Sequence, residues 1–282
     1  MSNIKKAFDF IGAFKRRKAS GKGTNMSNTQ KALELIGTFA TGDAGLAASL
    51  LDEGYIQHNL AYGTGRDAFV GSVKCLASAP VKTTVRNVRA FEDGDKVFLQ
   101  TVYNFAGAGE QVAFDIFRFN GRGLIAEHWD NLADVAGPNP SGRTQIDGSI
   151  EASDLGKTEE NRALVEAFLV DVMQGKHPEK TPDYFKGDVY LQHNTGIADG
   201  LSGLGAALEA LAANGIQMIY DRTHQVLAQG NFVLGVSEGT FGGKPTSYYD
   251  LWRVEDGKIA EHWDVMETIA DRADWQNENG KF

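Results

Sequence analysis

Two tripeptides, His128-Trp129-Asp130 and His262-Trp263-Asp264, place an imidazole and a carboxylate two residues apart. Side chains alternate along a strand, so each His and Asp share a face, roughly 7 Å apart, and the tryptophan faces away. A further carboxylate lies upstream of each. Asp115 shares an apolar face with Ala113, Phe117 and Phe119, and Asp250 shares one with Tyr248, Trp252 and Val254. A four-residue loop Asn120–Gly123 sets Asp115 opposite His128, and a three-residue loop Glu255–Gly257 sets Asp250 opposite His262; such partners lie about 5 Å apart. A buried carboxylate beside another is pushed up in pKa by desolvation and like charge, and an imidazole between them can hold or pass the proton. That suits acid–base chemistry beside a carbonyl. The plainer alternative is a buried Asp–His pair that ties sheet to helices.

Around these six candidate catalytic residues stand candidate ligand contacts. His58 and His193 lie in Gln-His-Asn segments that either line a cavity mouth or cap a neighbouring helix. Phe117, Tyr248 and Trp252 can wall a ligand. Arg118 and Arg253 fall on the opposite face and read as ion-pair partners. A metal held by His58, His128 and Asp130 is conceivable, but no tight ligand spacing supports it, and no metal is expected. Phosphate-loop, nucleophile-elbow and dinucleotide fingerprints are missing.

All but one of these positions carry a like residue in both copies, the exception being Tyr248, which matches Ala113. Tyr55–Asn59 returns as Tyr190–Asn194, Phe114–Arg118 as Tyr249–Arg253, and Ile125–Asp130 letter for letter as Ile259–Asp264, all in nearly constant register. The two ends, Asn139-Pro140-Ser141-Gly142-Arg143 and Asn277-Glu278-Asn279-Gly280-Lys281, also match in pattern. This is a tandem duplication of a domain. Within copy one, apolar spacing predicts helices over 30–41, 45–51 and 67–79, an extended segment over 55–59, and strands over 83–91, 96–106, 111–120 and 124–131. Helices preceding an antiparallel meander imply an α+β fold with helices over one face of a curved sheet. The expected boundaries are an N-terminal appendage at 1–28, a first domain at 29–135, a linker at 136–157 and a second domain at 158–282. In the appendage, Lys6–Phe14 echoes Lys31–Phe39, and Met26 reads as the functional start.

The 282 residues suffice for two such domains. A net charge of −9 argues against nucleic acid or an anionic membrane as partner. The single cysteine, Cys75, excludes an intrachain disulfide, and nothing points to an oxidising compartment, so the chain reads as cytoplasmic.

The run Asp250–Asp264 resembles the C-terminal hairpin of the SnoaL-like, polyketide cyclase-like branch of the nuclear transport factor 2-like superfamily. The Tyr-x-Gln-His-Asn segments and the Asn-Gly-Lys-Phe ending resemble a subgroup of predicted SnoaL-like aldol condensation-catalysing enzymes. The resemblance spans roughly residues 29–282. It implies tandem cone-shaped α+β barrels, each holding a small hydrophobic ligand, and a cofactor-free aldol closure with an aspartate as acid–base, the role that falls to Asp130 and Asp264. Where the cyclases carry a histidine at the other end of the hairpin, this chain has Asp115 and Asp250, which draws the site towards the carboxylate-rich pockets of related hydrolases and isomerases. The expectation is a lyase or isomerase acting on a small carbonyl compound. Its alternatives are a non-catalytic small-ligand-binding or protective protein and an interaction module that pairs through its open sheet face, with the copies as an internal pseudo-dimer and a possible homo-oligomer. The uninterrupted hairpin and the aromatics Tyr248 and Trp252 favour copy two as the more competent site.

Overall fold

The computed structural model describes residues 26–282; the appendage and its echo of Lys31–Phe39 lie largely outside them. Copy one opens with α1 (Asn28–Thr41). Ser27 accepts from the Gln30 amide, and the Gln30 side chain returns the bond, a capping box that fixes the helix start ahead of the expected boundary. Ala32, Leu35 and Ile36 form its buried stripe, and Gly42, at φ 74°, ends it in the left-handed cap glycine favours. There follow α2 (Ala44–Leu50), β1 (Leu51–Gln57), α3 (Arg66–Ser78), β2 (Thr84–Asp93), β3 (Lys96–Asn104), β4 (Glu110–Phe119) and β5 (Ile125–Asp134). The sheet order is β1-β5-β4-β3-β2, antiparallel except where β1 runs parallel to β5.

Copy two repeats the plan with α4 (Thr158–Phe168), β6 (Leu191–Gln192), α5 (Gly200–Ala213), β7 (Met218–Gln229), β8 (Phe232–Phe241), β9 (Lys244–Glu255) and β10 (Lys258–Thr268), in the order β6-β10-β9-β8-β7. Among the described residues no helix is long and apolar enough to cross a membrane.

Each sheet has two apolar faces with different tasks. The concave face of copy one, with Leu99, Ala113, Phe117 and Phe119, packs on α1–α3. The opposite faces of the two sheets pack against each other, joining Phe98, Phe114, Ile116 and Trp129 to Leu234, Tyr249, Leu251 and Trp263 in one core. Both site-bearing tryptophans thus face the contact between copies, as alternation requires. Asn131, fully buried, donates to the Ser247 and Val265 carbonyls across it. Residues 136–157 do not hang free: Asn139 donates to Gln192 O, and Arg89 donates to the Ser149 carbonyl while stacking on Trp263.

The hairpin register differs from the expected one by two residues. Asp115 pairs with Asp130 and Phe117 with His128; Asp250 pairs with Asp264 and Trp252 with His262. Two local features produce the shift. In copy two the turn is the two residues Asp256-Gly257, both at positive φ, rather than three, and in copy one Asn120 already bonds Leu124, leaving three loop residues rather than four. In both hairpins one residue, Ala126 or Ala260, is left out of the ladder as a bulge. The bulge is what lets Ile125 and His128, or Ile259 and His262, face the interior together. A two-residue shift preserves the face, so the side chains still converge.

Candidate active site

In copy one, β4 brings Asp115 and β5 brings His128 and Asp130 to the concave face. His128 Nε2 lies 3.1 Å from Asp115 Oδ1. The Tyr103 hydroxyl donates to Asp115 Oδ2 at 3.0 Å, and burial together with that carboxylate holds the phenol well above its ordinary pKa, so it remains a donor. His128 Nδ1 lies 3.1 Å from Gln57 Oε1. The same Oε1 accepts from the Asn59 amide at 2.9 Å, which identifies it as the oxygen. His128 Nδ1 is therefore the donor, and a single proton is shared between Nε2 and Asp115 Oδ1. The ring stacks on Phe117 at 4.4 Å and 8°. Phe117 thus braces the imidazole from beneath instead of walling a ligand.

Asp130 differs from Asp115. Its Oδ2 accepts from Asn59 Nδ2 at 3.0 Å, but its Oδ1 is buried with no partner among the described residues. A buried unpaired carboxylate oxygen is costly, and such exceptions concentrate where chemistry is done. Asp130 lines a cavity of about 220 Å³ together with Gln57, Asp115, His128 and Tyr103; Phe39, Phe69, Leu76, Phe105 and Leu132 supply apolar wall, and Tyr62, Gly63, Ser72 and Cys75 complete the lining. The volume is below the ~300–1,000 Å³ of drug-sized pockets, so the space suits a small ligand.

Copy two repeats the bonds among its histidine, carboxylates and flanking amides. His262 Nε2 lies 3.0 Å from Asp250, His262 Nδ1 lies 2.9 Å from Gln192 Oε1, and Asn194 Nδ2 donates to Asp264 at 2.6 Å. The phenol now comes from β7. Gly239 stands in register with Tyr103, and Tyr220 on the neighbouring strand donates to Asp250 instead. Burial, with Asp250 adding repulsion against the pull of His262, raises the pKa of Asp264.

Aromatic side chains take up much of the space above the copy two network, where Asp264 is partly exposed. Trp252, 1% exposed, stands where Phe117 does, and Gly235 stands in register with Leu99. Trp252 packs edge-on against Phe168 at 5.7 Å, and Phe185 packs against Tyr190 at 4.8 Å. Tyr248 stacks on Tyr220 at 4.1 Å and donates to the Thr240 carbonyl. Tyr248 and Trp252, expected to wall a ligand, pack into the body of copy two instead, and that expectation is corrected; an apolar cavity lies beside Asp130 in copy one.

His58 and His193 are also corrected. Neither lines the cavity. His58 stacks on Trp129 at 4.7 Å and bonds Glu127 and the Gly280 carbonyl; His193 stacks on Trp263 at 4.7 Å and bonds Glu261 and the Thr144 carbonyl. In each Gln-His-Asn segment the flanking amides, not the histidine, reach the site. Period-two alternation, which puts Gln57 and Asn59 opposite to His58, was the signal for this. Arg118 and Arg253 pair with Glu127 and Glu261, each at 2.6 Å.

Asp115, His128 and Asp130 offer three ligand atoms within 4.8 Å of one another, as do Asp250, His262 and Asp264. By type they match a divalent cation. His58, expected to join His128 and Asp130 in any such set, is not among these residues, and in copy one a cation would displace the bond between His128 Nε2 and Asp115.

Comparison with known proteins matches residues 165–262 to the SnoaL-like domain family. No curated protein matches the chain. Among solved structures, an NTF2-like protein from Cytophaga hutchinsonii is 18% identical over 40% of this chain and 95% of its own length, with TM-score 0.34. TsrD from Streptomyces laurentii is 20% identical over 39% and 91%, with TM-score 0.34. IdmH from Streptomyces antibioticus, a candidate polyketide cyclase, is 19% identical over 38% and 92%, with TM-score 0.32. The second copy contains a SnoaL-like domain, and the first repeats its strand order and its site residues.

Proposed function

We propose that copy one is a cofactor-free acid–base catalyst of the isomerase or cyclase type, acting on a small hydrophobic carbonyl compound, with Asp130 as the base. The observation that carries this reading is Asp130 Oδ1: a buried carboxylate oxygen without a partner among the described residues, on the wall of an apolar cavity. In the proposed cycle Asp130 Oδ1 takes a proton from the carbon next to the substrate carbonyl, and the electron pair moves onto the carbonyl oxygen. The Asp115–His128 bond opens as it does so, and the proton that the pair shared turns to meet the charge developing there. Return of the Asp130 proton to a different carbon completes an isomerisation. Attack of the enolate carbon on a second carbonyl of the same molecule forms the new bond, and passage of the Asp130 proton to that carbonyl's oxygen completes an aldol closure and restores the base.

A second reading has its own support. Copy two keeps the same bonds where aromatics take up much of the bowl, so the network also has structural value, and copy one can be a binding protein that turns nothing over. A panel of small β,γ-unsaturated cyclic ketones separates the two. Catalysis predicts isomerisation that is abolished by Ser72→Trp, which fills the cavity from α3 without touching the carboxylates. Saturable binding without any isomerisation selects the binding reading and overturns the catalytic one.

A further inference from the structure

Two features of the sequence remain outside the site itself: the matching ends Asn139–Arg143 and Asn277–Lys281, and the histidines of the Gln-His-Asn segments. They meet each other, and they do so across the copies. The tail of copy two lies on the Gln57-His58-Asn59 loop of copy one. Asn277 Nδ2 donates to the carbonyls of Asn59 and Tyr62, each at 2.9 Å, and Asn279 Nδ2 donates to the Gln57 carbonyl at 2.9 Å. Gly280 O accepts from His58, and Lys281 Nζ, buried, donates to the main-chain oxygen of Asp130 at 2.8 Å. The mirror contacts run the other way. Asn139 Nδ2 donates to the carbonyls of Gln192 and Ile197 at 2.6 and 2.9 Å, and Thr144 O accepts from His193.

The loop has two sides. Its Gln57 and Asn59 side chains face inward, where one fixes the His128 tautomer and the other holds Asp130. Its carbonyls face the exchanged tail. A buried carbonyl stripped of its donor seeks water, and the residue turns with it. Turning Gln57 or Asn59 moves the side chains that set the site.

We propose that each Asp–His–Asp cluster is held in register by the opposite copy: Asn277 and Asn279 are positioning residues for Asp115, His128 and Asp130, and Asn139 is the positioning residue for Asp250, His262 and Asp264. The duplication is then one interlocked unit: the cavity of copy one is lined by copy one alone, and its polar residues are positioned by the last residues of copy two. The inference rests on the catalytic reading only in calling the first cluster an active site; the positioning itself is independent of turnover.

The test is imidazole ¹⁵N NMR on the full chain, with His128 and His262 assigned through single His→Asn variants. Wild type gives an Nδ1–H signal for both rings, each bonded to a glutamine oxygen. Asn277→Ala/Asn279→Ala loses the Nδ1–H signal of His128 and leaves His262 unchanged; Asn139→Ala does the reverse. Should the double variant not fold, Asn279→Asp, isosteric but lacking the amide donors, gives the same crossed result in weaker form. General loosening moves both rings together, and a within-copy role moves His262 when copy two's own tail is altered. Either outcome, or no change in either ring, overturns the proposal. A protein without ketone turnover that still shows the crossed pattern refutes the catalytic reading and leaves this one standing.

Discussion

Replacing Asp130 with asparagine should make the protein more stable while removing its proposed chemistry. Asp130 is 6% exposed, with one oxygen paired to Asn59 and the other unpaired among the described residues. An unsatisfied buried polar group costs about 1–3 kcal/mol, more when charged. Asparagine keeps the oxygen that Asn59 needs and discharges the other position, where the new amide faces the cavity and neighbouring Asp115. The expected gain is about 1–2 kcal/mol, after allowing for an imperfectly paired amide. At about 2–4 °C per kcal/mol for a chain of this size, the melting temperature rises by roughly 2–8 °C. Asp115→Asn is the internal control. Both of its oxygens are bonded, to His128 and Tyr103, so breaking that buried pair should cost about 3–5 kcal/mol. Urea unfolding of both variants at pH 7 reads the two signs directly. Destabilisation of Asp130→Asn by more than about 1 kcal/mol would show that this oxygen is structural after all, and the argument from its missing partner would fail.

Two further outcomes follow from the same geometry. Cys75 is exposed, lines the copy one cavity and is the only cysteine in the chain; a bulky maleimide there should block ligand binding, and bound ligand should slow the alkylation seen by mass spectrometry, whereas labelling with no effect on binding would move the ligand elsewhere. Asp264 has its pKa raised by burial, so the folded state holds its proton more tightly than the unfolded chain does. Stability from this group is present at acid pH and is lost as pH rises from about 3.8 through the folded value. Asp264→Asn should therefore raise the melting temperature at pH 7 and change it little at pH 3.5, with equal effects at both pH values counting against the shift.

Much of the fold was legible because duplication let each weak pattern be read twice. Alternation on β4 and β5 placed Asp115, His128 and Asp130 on one face, and that survives the error in register, since the bulge and the turn together displace the pairing by an even number. What sequence could not show was volume. Phe117 and Trp252 occupy equivalent positions and both look like ligand walls, yet both stack on the site histidine, Phe117 beside a cavity and the larger Trp252 packed against Phe168. The difference depends on Leu99 against Gly235 and on helix placement, which no local pattern carries. Tyr103 was missed for a related reason: its counterpart Tyr220 arrives from a different strand, so the repeat offers no aligned tyrosine. The His58 and His193 reading favoured the most chemically versatile residue of the motif, while alternation pointed to its amide neighbours.

The central claim is that proton transfer occurs at Asp130 in copy one and not at its twin. Exchange of the α-hydrogens of a small cyclic ketone in D2O, followed by NMR with wild type, Asp130→Asn and Asp264→Asn side by side, tests it most directly. The account predicts catalysed exchange in wild type, a loss of about 100-fold or more in Asp130→Asn, as for removal of a general base, and near wild-type exchange in Asp264→Asn. Equal loss in both variants, or loss confined to Asp264→Asn, would contradict it.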